Sequence, residues 1–288
     1  RNAVLVGADT FVEIELWARE RLDWLRSYLR LKHGIPSHDT FGRLFGLIDP
    51  GEFESAFRRW VSSILPVMGP DTVIALDGKT SRRSGKIDAS PLHLVSAFAA
   101  GVGLVLGQRA TARKSNEKTA IPELLSTLAL EGCIVTLDAM GTQANIAQCI
   151  RERGGDYVLA VKDNQPTLAD SIRDFHAAFK TAPTPTPHTM VETVEKDHGR
   201  FEIRRCFAFD QLDCLAHPEQ WPGLQSFAVI ESERCINGKT SCEQRLYISS
   251  LPADAKRLAQ AVRSHWAVEN QLHWCMDVAF ADDQMRAR

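Results

Sequence analysis

The stretch Val73-Ile74-Ala75-Leu76-Asp77-Gly78-Lys79 decides how the rest of the chain is read. Four apolar residues without polar alternation specify a strand covered on both faces, and the run stops at a carboxylate. Gly78 follows, and its backbone freedom predicts that the chain turns as soon as the acid has been presented. A second copy of the pattern, Cys133-Ile134-Val135-Thr136-Leu137-Asp138, again ends in Asp and leads through Ala139-Met140-Gly141 into a helical stretch. One Asp after a strand is commonly the cap of the next helix. Two of them, 61 residues apart, predict two carboxylates delivered to the same edge of one sheet.

Composition sets the frame for that reading. The chain has 288 residues, 44% of them apolar, which is ample for a buried core. Its 36 acidic and 34 basic residues leave a net charge of −2, so any nucleic-acid contact must come from local clusters. Seven cysteines, an odd number with no Cys-x-x-Cys pair, suit a reducing compartment better than a disulfide framework or a structural zinc site. The longest apolar tract, 92–107, is interrupted by His93, Ser96, Gly101 and Gly103, which predicts a strand pair and no membrane span. No signal peptide is visible and the chain begins at Arg1, so we expect a cytoplasmic protein whose native N-terminus lies upstream.

Residues 1–68 read as a helical region. Thr10-Phe11-Val12-Glu13 has the spacing of a capping box for a helix running to about Leu31, and Gly34-Ile35-Pro36 breaks it. Ser37 caps a second helix over 40–48, and Asp49-Pro50-Gly51 separates it from a third over 53–64. Three short helices joined by tight turns fit either a helix-turn-helix DNA reader or a plain helical bundle.

From residue 71 the pattern changes. Strands are expected over 73–77, 92–99 and 104–111, the last two as a hairpin. A helix over 118–130, the strand ending at Asp138, a helix over 143–153, a strand over 157–161 and a helix from Pro166 to Lys180 follow. That order, over 69–180, is the order of a ribonuclease H-like α/β core, a mixed sheet with flanking helices. In such a core, carboxylates at the ends of the first and fourth strands lie side by side. Three prolines within 181–187 mark a boundary. Beyond it, over 181–252, the period is two: Phe201, Ile203, Phe207 and Phe209 share one strand face, and a hairpin over 227–249 turns at Asn237-Gly238. This β-rich block reads as an insertion, with 253–288 completing the core.

A third acid belongs to that last segment. At 100° per residue, Leu258, Val262, His265, Glu269, Leu272 and Met276 fall within a stripe about 80° wide on one helix over 254–276, so Glu269 is expected in the middle of the buried face. An ionised carboxylate there costs several kcal/mol unless it is ion-paired or holds a metal. Three carboxylates, Asp77, Asp138 and Glu269, suit two hard divalent cations, Mg²⁺ or Mn²⁺, held by anionic oxygens for phosphoryl chemistry. A zinc hydrolase is a different reading, because His265, Glu269 and His273 recur every four residues, although His-Glu-x-x-His is absent. Basic residues gather beside the proposed site: Lys79, Arg82, Arg83 and Lys86 after the first Asp, and Arg109, Arg113, Lys114 and Lys118 before the helix at 118. Arg200, Arg204 and Arg205 lie in the β-rich block. They are candidate phosphate contacts.

Seven blocks together carry a more specific signal. Gly34-Ile35-Pro36-Ser37-His38-Asp39-Thr40-Phe41, Leu76-Asp77-Gly78-Lys79, Lys114-Ser115-Asn116-Glu117-Lys118, Leu137-Asp138-Ala139, Lys162-Asp163-Asn164-Gln165, Asp197-His198-Gly199-Arg200 and His265-Trp266-Ala267-Val268-Glu269-Asn270 resemble, in order, those of the H-repeat-associated (ISAs-type) DDE transposases of bacterial insertion sequences. The resemblance covers nearly the whole chain. It implies Asp77, Asp138 and Glu269 as a metal-holding catalytic triad and DNA strand cleavage and transfer as the activity. The implied partners are double-stranded DNA, as element ends and target, and a second copy of the chain as a homodimer on DNA, with nucleoid association when bound. In the wider group the glutamate helix often carries a Tyr, an Arg and a Lys where this chain has Val262, His265 and Met276; Arg263, His265, Asn270 and His273 are the candidate substitutes. A chain of this kind that binds DNA without cleaving it, a transposase remnant, is the alternative within the same family.

Overall fold

The computed structural model describes residues 2–8, 10–64, 69–85, 90–111, 117–182, 186–197 and 200–284. Its centre is strand β1 (Val73–Ser81), flanked by β2 (Leu92–Ala99) on one side and β4 (Ile134–Leu137) on the other, with β3 (Leu104–Thr111) outside β2 and β5 (Asp156–Val161) outside β4. β1, β4 and β5 are mutually parallel, whereas β2 and β3 form an antiparallel hairpin against β1. The order β3-β2-β1-β4-β5 with this polarity is the ribonuclease H-like arrangement.

Both faces of the sheet are covered, as the unbroken apolar runs require. Ile74, Leu76, Val135 and Leu137 point into one core layer under helices α6 (Glu117–Leu125), α7 (Ala144–Glu152) and α8 (Pro166–Thr181). Val73, Ile134 and Val158 point the other way, against Leu258, Ala261 and Val262 of helix α9 (Ala255–His265). The alternation has a positional consequence. Leu76 pairs with Leu137, so Asp77 and Asp138, the next residues along two neighbouring parallel segments, stand side by side.

The chain does not turn at Gly78. β1 continues to Ser81 because β2 pairs with it along its whole length, from Ile74 opposite Ala99 to Ser81 opposite Leu92. β4 is the strand that stops, where Asp138 caps the short 3₁₀ turn Ala139–Gly141.

The β-rich block extends the same sheet. β9 (Lys239–Ser249) lies antiparallel to β5, and β8 (Ser226–Ile236), β7 (Arg200–Phe209) and β6 (Thr189–Asp197) follow, giving nine strands. Asn237 (φ 49°) and Gly238 (φ 76°) are both left-handed, as a two-residue hairpin demands. Phe207 and Phe209 pack under α8, but Phe201, on the same face, is 41% exposed because no helix reaches that end of the strand. β6 was not expected; its sequence Thr-Met-Val-Glu-Thr-Val-Glu-Lys-Asp is an edge strand in which charges interrupt the apolar alternation.

In the N-terminal region, after the single turn α1 (Asn2–Leu5), helices α2 (Phe11–Glu20), α4 (His38–Leu47) and α5 (Pro50–Ile64) match three expected segments. The Thr10/Glu13 capping box forms, and Ser37 caps α4. The first helix ends at Glu20, short of Leu31, and α3 (Leu22–Arg26) follows. α5 docks Phe57 and Val61 into the main core, and Glu54 meets Arg109 of β3 at 3.2 Å.

After α9 the helix changes character. Val268–His273 form a π turn before the short helix α10 (Trp274–Val278). The 100° phase therefore lapses just where Glu269 stands, and Val268, fully buried, takes the inward position against Ala75 and Phe98. Glu269 is exposed, which corrects the expectation of a buried carboxylate on a straight helix.

Candidate active site

The two aspartates sit in different surroundings. Asp77 has a side chain 20% exposed, accepts the Gly78 backbone N–H at 2.8 Å and lies 3.5 Å from His273 Nδ1. Burial pushes its carboxyl up to about 7, against the pull of the Gly78 N–H, and the charges of Asp138, Glu269 and Glu117 push the same way. Asp138 is exposed at the mouth of the site and accepts the Gly141 N–H at 3.3 Å. Its turn is clamped from behind. Asn164 donates to the Ala139 carbonyl, Gln165 donates to the Thr142 carbonyl at 3.2 Å, and Thr142 Oγ1 donates to the Ala160 carbonyl at 2.6 Å. That is the physical role of the Lys162-Asp163-Asn164-Gln165 block.

The glutamate helix contributes from the opposite wall. His265 Nδ1 is 2.9 Å from Thr136 Oγ1 on β4, and burial holds its imidazole down at about 4 although Asp138 opposes this, so the ring is neutral at pH 7. Its place is between strand and helix. His265, Glu269 and His273 do not converge: the π turn spoils their four-residue spacing, and among the described residues they form no group of metal-ligand geometry.

Among the described residues, the one such group, with carboxylate oxygens within 4.8 Å of one another, is Asp277, Asp282 and Asp283. Lys79 occupies it, its Nζ at 2.6 Å from Asp277, 3.6 Å from Asp282 and 3.5 Å from Asp283. Lys79 is thus consumed inside the fold. The Asp77, Asp138 and Glu269 carboxylates are near enough for the latter two to raise Asp77, yet they do not close to the same spacing. Among the described residues no Lys or Arg forms an ion pair with any of the three. An uncompensated set of hard oxygen donors suits Mg²⁺ or Mn²⁺ and does not suit softer metals.

The other basic residues fall into two places. Arg82, Arg83 and Lys118 are exposed near β1 and the start of α6, with Arg82 Nε 3.4 Å from Asp283; Lys86, Arg113 and Lys114 lie outside the described residues. Arg200, Arg204, Arg263 and Asn270 line a cleft of 760 Å³ between the outer strands and α9, with Glu269 on its rim. Arg200, Arg204 and Arg234 surround Glu202, which is 1% exposed, at 3.3, 2.8 and 3.2 Å. Arg263 pairs with Glu195 at 2.8 Å, and Arg245 lies over the Trp266 ring at 4.5 Å. Sequence reading missed Arg234, Arg245 and Trp266. Their signal was available in the alternation of β8 and β9, where these arginines share the face carrying Arg204.

With this geometry in hand, comparison with known proteins identifies the family. Residues 68–288 match the family described as Transposase DDE domain, and residues 2–61 match the one described as DDE_Tnp_1-associated. A protein of Xanthobacter autotrophicus, "Uncharacterized protein in dhlA 3'region", is 46% identical over 255 residues, covering 88% of this chain and 85% of its own. The "H repeat-associated putative transposase YhhI" of Escherichia coli (strain K12) is 40% identical over 299 residues, 99% of this chain and 77% of that protein. The chain belongs to the DDE transposase family. Among solved structures, a piggyBac transposase synaptic complex with hairpin DNA aligns at TM-score 0.47 and 11% identity over 99% of this chain and 61% of that one, a likeness that adds nothing to the fold read from strand order. No helix among the described residues is long and apolar enough to cross a membrane.

Proposed function

We propose that the chain is an insertion-sequence transposase that cuts and joins DNA strands at a site formed by Asp77, Asp138 and Glu269. The observation that carries this reading is the register of β1 and β4, which sets Asp77 beside Asp138 with no Lys or Arg ion-paired to either among the described residues. Two divalent ions, Mg²⁺ or in its place Mn²⁺, supply activation of the attacking oxygen and stabilisation of the leaving oxygen when bound. Asp77 and Asp138 hold them, and Glu269, on the opposing helix, completes the donor set. Water attacks a phosphodiester in line and releases a 3′-hydroxyl; that hydroxyl then attacks a target phosphodiester, forming one P–O bond as another breaks. No enzyme side chain becomes covalently attached. Arg82, Arg83, Lys118, Arg200, Arg204, Arg263 and Asn270 flank the site and favour a polyanion there, with Lys86, Arg113 and Lys114 assigned to the same path from sequence. The partners in this reading are double-stranded element ends and target DNA, a second copy of the chain bound on them, and the helical region 1–68 as a further contact; the setting is the cytoplasm.

The exposure of Glu269 on a π turn favours one competing reading, a family member that binds DNA without cutting it. One experiment separates them. Cleavage of DNA carrying the element's own ends is expected with Mg²⁺ or Mn²⁺ and is abolished in Asp77→Asn and in Asp138→Asn, with end binding retained. Binding without cleavage in the wild type supports the remnant, and cleavage surviving in either variant removes the aspartates from the mechanism.

A further inference from the structure

We propose that Glu117 is a positioning residue for Asp77: with His93 it forms a buried brace directly behind Gly78 that fixes how β1 presents the neighbouring carboxylate. The inference rests on the reading of Asp77 as a cation ligand.

The brace is built from three elements. His93 of β2 is 2% exposed and stands opposite Thr80 in the strand register. Its Nδ1 is 2.7 Å from Thr80 Oγ1 and its Nε2 is 2.6 Å from Oε1 of Glu117, the first residue of α6, itself 6% exposed. A Cβ on Gly78 would lie 2.6 Å from His93 Nε2 and closer still to Glu117 Oε1, so the pair packs against the backbone one residue beyond Asp77. This explains the glycine. It stands in the middle of a regular strand, where a glycine is costly unless another group must approach the backbone.

Helix α6 also reaches the second aspartate: one turn after Glu117, Ile121 packs against Gly141 in the turn capped by Asp138. α6 therefore supports the backbone beside both aspartates, one through Glu117 and the other through Ile121.

The test uses the full chain and reads cation binding separately from cleavage. The Mn²⁺ concentration at the midpoint of thermal stabilisation and that at half-maximal end cleavage are measured for wild type, Glu117→Ala, Glu117→Gln, Gly78→Ala and Asp77→Asn. Glu117→Ala and Gly78→Ala are expected to raise both midpoints by about tenfold to a hundredfold, the usual effect of removing the group that orients a ligand, with DNA binding unchanged. Glu117→Gln, which keeps an acceptor for His93, returns most of the loss. A role in stability alone lowers the melting temperature at every Mn²⁺ concentration and leaves the midpoints at the wild-type value; that result in Gly78→Ala, or in a folded Glu117→Ala, overturns the proposal. Asp77→Asn separates the two levels of failure. If it keeps the wild-type Mn²⁺ response, the cation reading falls and this inference with it; if it loses the response while Gly78→Ala is unmoved, only the brace falls.

Discussion

Two acidic clusters lie next to each other at the end of β1, and they differ in what neutralises them. Asp277, Asp282 and Asp283 converge tightly, and the chain's own Lys79 sits among them. Ser81 Oγ adds a hydrogen bond to Asp282 at 2.8 Å, so this cluster fastens residues 277–283 to β1. Asp77, Asp138 and Glu269 are more loosely set, with no lysine or arginine paired to them among the described residues and the Asp77 carboxyl held at about 7. In the proposed reading, what marks a cation site is charge left without an internal partner, and convergence of carboxylates alone does not.

The contrast breaks first at Lys79. Lys79→Met leaves the exposed Asp277 and the partly buried Asp282 and Asp283 facing one another and is expected to cost about 3 kcal/mol, the low end for a broken buried pair, read from urea or thermal unfolding. Wild-type stability in that variant would mean that the ammonium is incidental and the two clusters are alike.

The pH dependence offers the next largest effect. Because the Asp77 carboxyl is raised from 3.8 to about 7, the folded protein keeps a proton that the unfolded chain releases. The stability this group contributes is complete below about pH 4 and is lost as pH rises through about 7, amounting to no more than about 4 kcal/mol for a group that is not fully buried. Unfolding free energies in EDTA should thus fall between pH 5 and pH 8 in wild type and fall less in Asp77→Asn. Superimposable profiles would show that Asp77 is not strained.

The smallest effect distinguishes exposed arginines from one already held by two glutamates. Arg82→Ala with Arg83→Ala should flatten the salt dependence of DNA binding by about one log–log unit for each phosphate left without its arginine. Arg204→Ala should change it less, because Glu195 and Glu202 already hold that guanidinium at 3.1 and 2.8 Å. An equal change would mean that those glutamates release it when DNA binds.

How much of this could be read from sequence depended on whether periodicity was the controlling signal. The apolar runs before Asp77 and Asp138 place both acids because a strand's register follows from burial, and the Asn237-Gly238 turn places a hairpin because few residues tolerate its backbone. Glu269 is the third acid the sequence proposes, but its exposure is not legible there, since a π turn leaves no mark in a pattern read at 100° per residue. Lys79 looked like a phosphate contact; the carboxylates that claim it lie about 200 residues away in sequence. The Thr80–His93–Glu117 brace was invisible for the same reason, although Gly78 in mid-strand was its trace.

The central claim is that Asp77, Asp138 and Glu269 form one cation site, and metal-linked stability tests it most directly. At a hundredfold excess over the dissociation constant, Mg²⁺ or Mn²⁺ should stabilise the wild type by about 2.7 kcal/mol, a shift of a few degrees in the melting temperature. Asp138→Asn and Glu269→Gln should each equal or exceed wild type in EDTA, through reduced repulsion, and gain less on adding the ion. A full wild-type gain in Glu269→Gln, together with lower stability in EDTA, would contradict the account and place Glu269 in an ion pair outside the site.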